Sequence, residues 1–255
     1  MKKVQDFKVK EYQWLNDDNY IIKLQSDEEV PEISAGQFAE LKIPRSPDVF
    51  LRRPLSILDY HKKENSLSFY VKIIGKGTRQ LGQLPKGETV NVIYPLGNSF
   101  NTENVNNALI IGGGSGIAPF VLLARELQRQ KIDTTFLIGG RTKKDVFLTD
   151  AFAMFGEVLL TTEDGSLGEK GLVTQHSVFK NEKFDFDKIY TCGPNPMMKA
   201  VSYIAKEKEV ACEASLENMM ACGFGACLCC VTETADGNKC VCTEGPVFDT
   251  NYLKW

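Results

Sequence analysis

Cysteine is missing from most of this 255-residue chain, because all eight copies fall at or after Cys192. A secreted disulfide framework spreads its cross-links through the fold, so thiols gathered at one end point to a metal in a reducing, cytoplasmic setting. Histidine is scarce as well. His61 and His176 are the only two, and neither stands in a pattern with a nucleophile, which argues against acid–base hydrolysis. Charge of one sign is lacking: the net is −3, so no nucleic-acid or anionic-membrane partner is expected. The carboxylates scatter along "QSDEEVPE" and "AKEKEV" without the spacing of a hard-cation site. No long apolar run is present either. The longest, "ALIIGGGSGIAPFVLLA" from Ala108 to Ala124, is interrupted by glycines and a proline and is short for a bilayer span. The opening "MKKVQDFKVKEYQWL" leads into no apolar run or small-residue cleavage site, so a secretory signal is not expected.

What is present divides the chain into three. Residues 1–100 carry short alternating runs, "NYIIKLQS", "QFAELKIP", "LSFYVKII" and "ETVNVIYP", cut by Gly, Pro and Asp, which predict a compact antiparallel β-barrel or sandwich. From 101 to 210 the character changes. "NALIIGG", "TTFLIGG" and "DKIYTCGP" read as buried strands, and "APFVLLARELQRQK" and "NPMMKAVSYIAKEK" as helices, the alternation of a parallel-sheet α/β nucleotide domain. Residues 211–255 form a cysteine-rich module of roughly forty residues, a size that usually needs a staple.

Five stretches carry chemistry. "GGGSGIAP", Gly112 to Pro119, lies between a strand and a helix, where Gly112, Gly113, Gly114, Ser115 and Gly116 would let backbone N–H groups approach a pyrophosphate. Pro119 stands where the dinucleotide fingerprint has its third glycine, and no acid closes the next strand. "TCGPNPMM" puts Cys192, Gly193 and Pro194 at the carboxyl end of another strand, where open α/β sheets bind ligands. In the first domain "LRRPLSI" joins arginine forks to a hydroxyl, and "YVKIIGKGTRQL" ends a strand in a turn able to form an anion nest. Each alone also reads as an ordinary turn or a solvated arginine pair. The strongest local signal is Cys222, Cys227 and Cys230 in the spacing C-x4-C-x2-C, the plant-type arrangement for a [2Fe–2S] cluster. A structural zinc site more often shows two separate C-x2-C pairs. Spacing leaves the fourth ligand open between Cys240 and Cys242.

In order, "RPLS", "GKGT", "GGGSGIAP", "CGPNPMM" and the cysteine module resemble a ferredoxin-reductase-type flavoprotein with a C-terminal [2Fe–2S] domain. "SLENMMACGFGACLCCV" and "CTEGPVFD" are similar to the electron-transfer subunits of NAD-dependent dihydroorotate dehydrogenases, and the likeness covers essentially the whole chain. The resemblance implies an FAD-binding barrel with Arg53, Pro54, Leu55 and Ser56 at the pyrophosphate, Tyr70, Val71 and Lys72 on a second flavin strand, and Gly77 and Thr78 at a phosphate turn. It implies NAD at the Gly-rich loop and at Cys192, Gly193 and Pro194. It selects Cys242 as fourth cluster ligand and leaves Cys229 and Cys240 outside the set. It further implies an FMN-bearing catalytic partner that holds the dihydroorotate site, in a heterotetramer with two of each subunit. Two other readings remain: an NAD(P)H reductase subunit of a ferredoxin-linked or sulfur- or hydrogen-metabolising complex, for which Arg141, Lys143 and Lys144 would suit a 2′-phosphate, and a zinc-stabilised nucleotide-responsive binding module.

Overall fold

The computed structural model of the chain describes residues 2–181 and 183–255. Six strands close an antiparallel barrel: β1 (Lys3–Asn16), β2 (Asn19–Gln25), β3 (Phe38–Leu41), β4 (Arg53–His61), β5 (Ser66–Lys72) and β6 (Thr89–Leu96), in the order β1-β2-β5-β4-β3-β6. Alternation builds it. Phe7 and Val9 in β1, Tyr20, Ile22 and Leu24 in β2, and Val90, Val92 and Tyr94 in β6 are buried, while the residues between Phe7 and Val9, or between Val90 and Val92, turn outward. Closure leaves no unpaired edge. Gln5, a polar residue on the inner face, is satisfied: the Tyr94 hydroxyl donates to its Oε1 at 2.7 Å and its Nε2 donates to Ser26 Oγ at 2.8 Å. Between β5 and β6 lies the short helix α1 (Lys76–Leu81), tied to the barrel where the Tyr20 hydroxyl donates to the Thr78 carbonyl at 2.6 Å.

The second unit alternates β7 (Asn107–Gly113), α2 (Phe120–Gln130), β8 (Asp133–Gly140), α3 (Thr149–Ala153), β9 (Glu157–Thr162), β10 (Glu169–Lys170), β11 (Lys188–Cys192), α4 (Asn195–Glu207) and β12 (Ala211–Ser215). Strands β7, β8 and β11 are apolar runs because helices cover the sheet. Helix α2 buries Phe120, Leu122, Leu123, Ala124 and Leu127, a stripe of helical period, and stops at Lys131 in the left-handed region (φ 60). The sheet runs β10-β9-β8-β7-β11-β12-β15, with β15 (Val247–Asp249) antiparallel to β12. From β7 the chain steps outward to β8 and β9, then returns to lay β11 on the other side of β7. Such a reversal opens a crevice outside the carboxyl ends of β7 and β11.

The cysteine segment is not the free-standing module expected from residue 211 onward. β12 pairs with β11 along its whole length, from Lys188↔Ala211 to Cys192↔Ser215, and β15 caps it, so residues 216–246 are an insertion between two strands of the sheet. Pairing covers the edge that β11 would otherwise expose. The insertion contains the hairpin β13 (Val231–Thr234) and β14 (Gly237–Cys240), and buries Met220, Cys230, Val241 and Cys242 against Phe38 and Leu96 of the barrel and Met198 of α4. Asn98 pins its exit: the side chain donates to the Glu244 and Val247 carbonyls at 3.0 and 2.8 Å and accepts from Val247 N–H at 2.9 Å. The barrel and sheet are further joined where Arg125 of α2 donates both nitrogens to Asp59 of β4 at 2.7 and 2.8 Å. Among the described residues no helix is long and apolar enough to cross a membrane.

Candidate functional site

The crevice at the β7–β11 reversal opens into a cavity of about 570 Å³. Gly113, Gly114 and Ser115 form one lip, and Gly193, Pro194 and Met197 the other. Strand register brings them together, because Cys192 pairs with Gly112. One of the glycines is demanded by close approach: a Cβ on Gly116 would stand 2.3 Å from the Cys192 carbonyl oxygen, while Gly113 packs against the Met197 side chain. Gly112, Gly116 and Cys192 thus lie beneath the cavity wall. Cys192 is fully buried, and burial, with Glu217 beside it, holds its thiol well above the ordinary range, so it is a neutral packing group there.

Lys72, expected on a flavin strand, is delivered by the barrel to this same cavity. The far end of the cavity, at the carboxyl ends of β8 and β9, carries Arg141 together with Asp145 and Glu163, whereas Lys143 and Lys144 are exposed outside its lining. Glu217, the second residue past β12 on the way to the cysteines, also reaches the cavity, and its Oε1 lies 3.9 Å from Cys192 Sγ. Glu217 is exposed within the cavity mouth, and crowding by the surrounding chain pushes its carboxyl up. No local motif announced Lys72, Glu163 or Glu217 as cavity groups; each arrives from a different strand end or loop.

A second anion cradle lies on the barrel. A Cβ on Gly77 would stand 2.5 Å from Arg53 Nε, so the guanidinium lies directly against the turn. Thr78 Oγ1 accepts from the N–H groups of Ile74 and Gly75 at 3.1 and 3.3 Å, which leaves the first-turn N–H groups of α1 beside the arginine. This donor set suits a pyrophosphate. Arg53, Pro54, Leu55 and Ser56 are all half-buried, so neither face of this stretch of β4 is closed over. Val71, by contrast, packs inside the barrel, and Tyr70 is buried at the joint with the sheet, its hydroxyl donating to Asn19 Oδ1 at 2.7 Å. Those two positions offer a flavin backbone groups and a ring edge rather than free side chains.

The cysteines form a nest. Burial alone would push the Cys222 thiol up, but hydrogen bonds from the N–H groups of Phe224, Cys227 and Ala226 and from the Cys227 thiol bring it down to about 6. Left-handed Gly223 (φ 74) and Gly225 (φ 87) turn those N–H groups inward. On the other side, Cys242 N–H donates to Cys230 Sγ at 3.4 Å, and burial with the Cys230 sulfur alongside pushes Cys242 up to about 12. Cys222 thus neighbours Cys227, and Cys230 neighbours Cys242. Among the described residues no three His, Cys, Asp or Glu side chains converge on a single ion. Glu40 of β3 is the outlier of the region: fully buried against Gly223, with neither carboxylate oxygen paired.

A two-domain reductase architecture with a nucleotide crevice, a barrel anion cradle and a cysteine nest defines the ferredoxin-reductase-type flavoproteins that carry an iron–sulfur domain. Residues 217–254 match the family model described as the iron–sulfur cluster binding domain of dihydroorotate dehydrogenase B, and residues 110–203 match the oxidoreductase NAD-binding domain. The dihydroorotate dehydrogenase B (NAD(+)) electron transfer subunit of Listeria monocytogenes serotype 4a is 41% identical over 225 residues, covering 86% of this chain and 87% of its own length. The Fusobacterium nucleatum subunit of the same name is 35% identical over 254 residues, 96% of each chain. A chain from the structure of the NADH-dependent reduced ferredoxin–NADP oxidoreductase superposes with a TM-score of 0.89 at 30% identity, covering 98% of this chain and 90% of its own. The ferredoxin reductase of carbazole 1,9a-dioxygenase shares the fold, with a TM-score of 0.68 at 21% identity. The chain belongs to the family of dihydroorotate dehydrogenase B electron transfer subunits.

Proposed function

We propose that this subunit passes electrons between the FMN of a catalytic partner, its own [2Fe–2S] cluster and FAD, and NAD, supporting oxidation of dihydroorotate to orotate in pyrimidine biosynthesis. The assembly is a cytoplasmic heterotetramer with two of each subunit, and the partner holds the dihydroorotate site. One observation carries the reading: the segment bearing the cluster thiols begins at Glu217 in the nucleotide cavity and packs onto Phe38 and Leu96 of the flavin barrel, so three binding regions share walls. When bound, FAD and the cluster supply conversion between hydride-sized electron pairs and single electrons.

The chain's own groups do the positioning. Arg53 and the turn at Gly77 and Thr78 hold the flavin pyrophosphate, with Pro54, Leu55 and Ser56 along the same strand and Tyr70, Val71 and Lys72 on its neighbour. Gly113, Gly114 and Ser115 present N–H groups to the NAD pyrophosphate. Gly112 and Gly116 keep the crevice lips close, with Cys192, Gly193 and Pro194 opposite. Lys72 and Glu217 line the same cavity from the barrel and from the cysteine segment. Cys222, Cys227, Cys230 and Cys242 hold the cluster, with backbone donors stabilising the thiolate of Cys222. Anaerobic co-purification with the cellular partner, followed by an assay of NADH-dependent orotate reduction, tests the proposal. An FMN-bearing partner and orotate turnover are expected; neither appearing would sink it. The 30%-identical chain from the ferredoxin–NADP oxidoreductase favours a second reading, a ferredoxin-linked NAD(P)H reductase subunit, which NADPH-dependent ferredoxin reduction without orotate turnover would select.

A further inference from the structure

Strand β4, which carries Arg53 and the flavin stretch, breaks its pairing with β5 at one point. Ile57 stands opposite Phe69 and Asp59 opposite Ser68, so Leu58 is an extra residue, a β-bulge. Regular alternation would put Asp59 on the same inner face as Ile57, in the barrel core. With the bulge, Leu58 and Asp59 both turn outward while Ile57 and Tyr60 stay on the core side. Leu58 enters an apolar seam with Ala118 and Val121, and Asp59 accepts both terminal nitrogens of Arg125 at 2.7 and 2.8 Å. Asp59 also accepts Tyr60 N–H at 2.8 Å, and His61 Nε2 lies 3.4 Å from it, so the carboxylate is aimed and held.

Both ends of this contact lead to a cofactor region. Ser56 lies two residues before the bulge. Across the joint, Ala118 belongs to the glycine-rich loop, and α2 begins at Phe120, which puts Arg125 about 8 Å along the helix from its start. Phe147 and Leu148, which follow the cavity residues Arg141 and Asp145, complete the seam, the Phe147 ring 6.1 Å from that of Tyr70. Apolar contact is non-directional and permits sliding, whereas a guanidinium–carboxylate fork fixes orientation. Neither Arg125 nor Asp59 lines the cavity.

We propose that Arg125, gripping Asp59 on the bulge, is a positioning residue that sets how closely the nucleotide crevice meets the flavin strand. The proposal rests on the reading that FAD lies on the barrel and NAD in the β7–β11 crevice. NADH gives up a hydride and leaves as NAD+, and FAD gains that hydride to become FADH−, so both electrons and the proton are accounted for. Such a transfer needs its reacting atoms within about 3–3.5 Å, and a misplacement near 1 Å is worth up to about 100-fold in rate.

The test takes the FAD- and cluster-loaded subunit as wild type, Arg125→Ala, Arg125→Lys, Asp59→Ala and the double variant Asp59→Ala with Arg125→Ala. Rapid mixing with NADH reads the limiting rate of flavin reduction and the half-saturating NADH concentration. Adding NAD+ to the reduced protein reads the long-wavelength charge-transfer absorbance, which reports nicotinamide–flavin stacking without turnover. In Arg125→Ala the limiting rate should fall about 10- to 100-fold and the charge-transfer band weaken, with half-saturation nearly unchanged and FAD retained. Arg125→Lys keeps the charge without the fork and should fall between, while Asp59→Ala should match Arg125→Ala and the double variant add nothing further. These two further single variants keep the test decisive if Arg125→Ala loses flavin. A lower Tm with rate and band unchanged makes the pair a structural tie and overturns the proposal. So does a raised half-saturation at an unaltered limiting rate, which would make Arg125 a binding group. If NADH fails to reduce the wild-type flavin, the cofactor reading falls and the proposal with it.

Discussion

Replacing Gly116 by alanine tests the crevice most directly. The new Cβ would stand 2.3 Å from the Cys192 carbonyl oxygen, 2.5 Å from its carbon and 2.6 Å from Gly193 Cα, all backbone atoms of the opposite lip. Ordinary contact begins at 3.4 Å, so the two lips must part by about 1 Å. Overpacking of this kind costs about 1–3 kcal/mol, which for a chain of this size lowers Tm by roughly 2–12 °C. A displacement near 1 Å at a positioning site is also worth up to about 100-fold in rate. Gly87→Ala, on the barrel and outside the cavity, is the matched control: a Cβ there meets nothing within 4 Å and bears only the strain of its left-handed backbone (φ +84), on the order of 1–2 kcal/mol. With NADH as donor and ferricyanide as acceptor, Gly116→Ala should lose about 10- to 100-fold in kcat/KM with FAD content retained, and Gly87→Ala should keep wild-type kinetics. Wild-type NADH kinetics and Tm in Gly116→Ala would refute the assignment of the β7–β11 crevice to the nucleotide.

Arg53→Ala removes charge-assisted bonds worth about 1.5–3 kcal/mol, so FAD affinity should fall roughly 10- to 100-fold, read as flavin lost on desalting from a folded protein. Burial, opposed by Arg52, pushes Glu40 up to about 7. The native state therefore keeps a proton that the unfolded chain releases, and the contribution of Glu40 to stability is greatest at low pH, declines between about pH 4.3 and pH 7, and is level above. Glu40→Gln should flatten that decline and melt higher at pH 8, by on the order of 3 kcal/mol, converging with wild type near pH 4; parallel curves would count against the buried carboxylate. Asp145 and Glu163 at the outer end of the cavity disfavour a 2′-phosphate, so NADH should be used in preference to NADPH. Glu163→Gln should narrow the preference by about 10-fold, the effect of removing about 1.4 kcal/mol of repulsion; an unaltered ratio would place the 2′-position elsewhere.

Local pattern was enough for the elements. Alternation made β1, β2 and β6 readable as barrel strands, apolar runs marked β7, β8 and β11, and the strand–glycine–helix order of "GGGSGIAP" and the spacing of Cys222, Cys227 and Cys230 depend only on neighbours in the chain. Side-chain direction and backbone freedom are local properties, which is why they show in residue order. Resemblance, rather than spacing, separated Cys242 from Cys240.

The rest depended on contacts between distant residues. Pairing of Cys192 with Gly112 made two motifs into one crevice, and the adoption of β12 and β15 by the sheet turned the cysteine segment from an appended module into an insertion. Neither Lys72 nor Glu217 carries a local mark of the cavity they share, and Glu40 reads as an ordinary strand carboxylate until Gly223 closes over it. The chain order encodes which groups can do chemistry; tertiary packing, by fixing distances and excluding water, decides which of them meet and what their charges are worth.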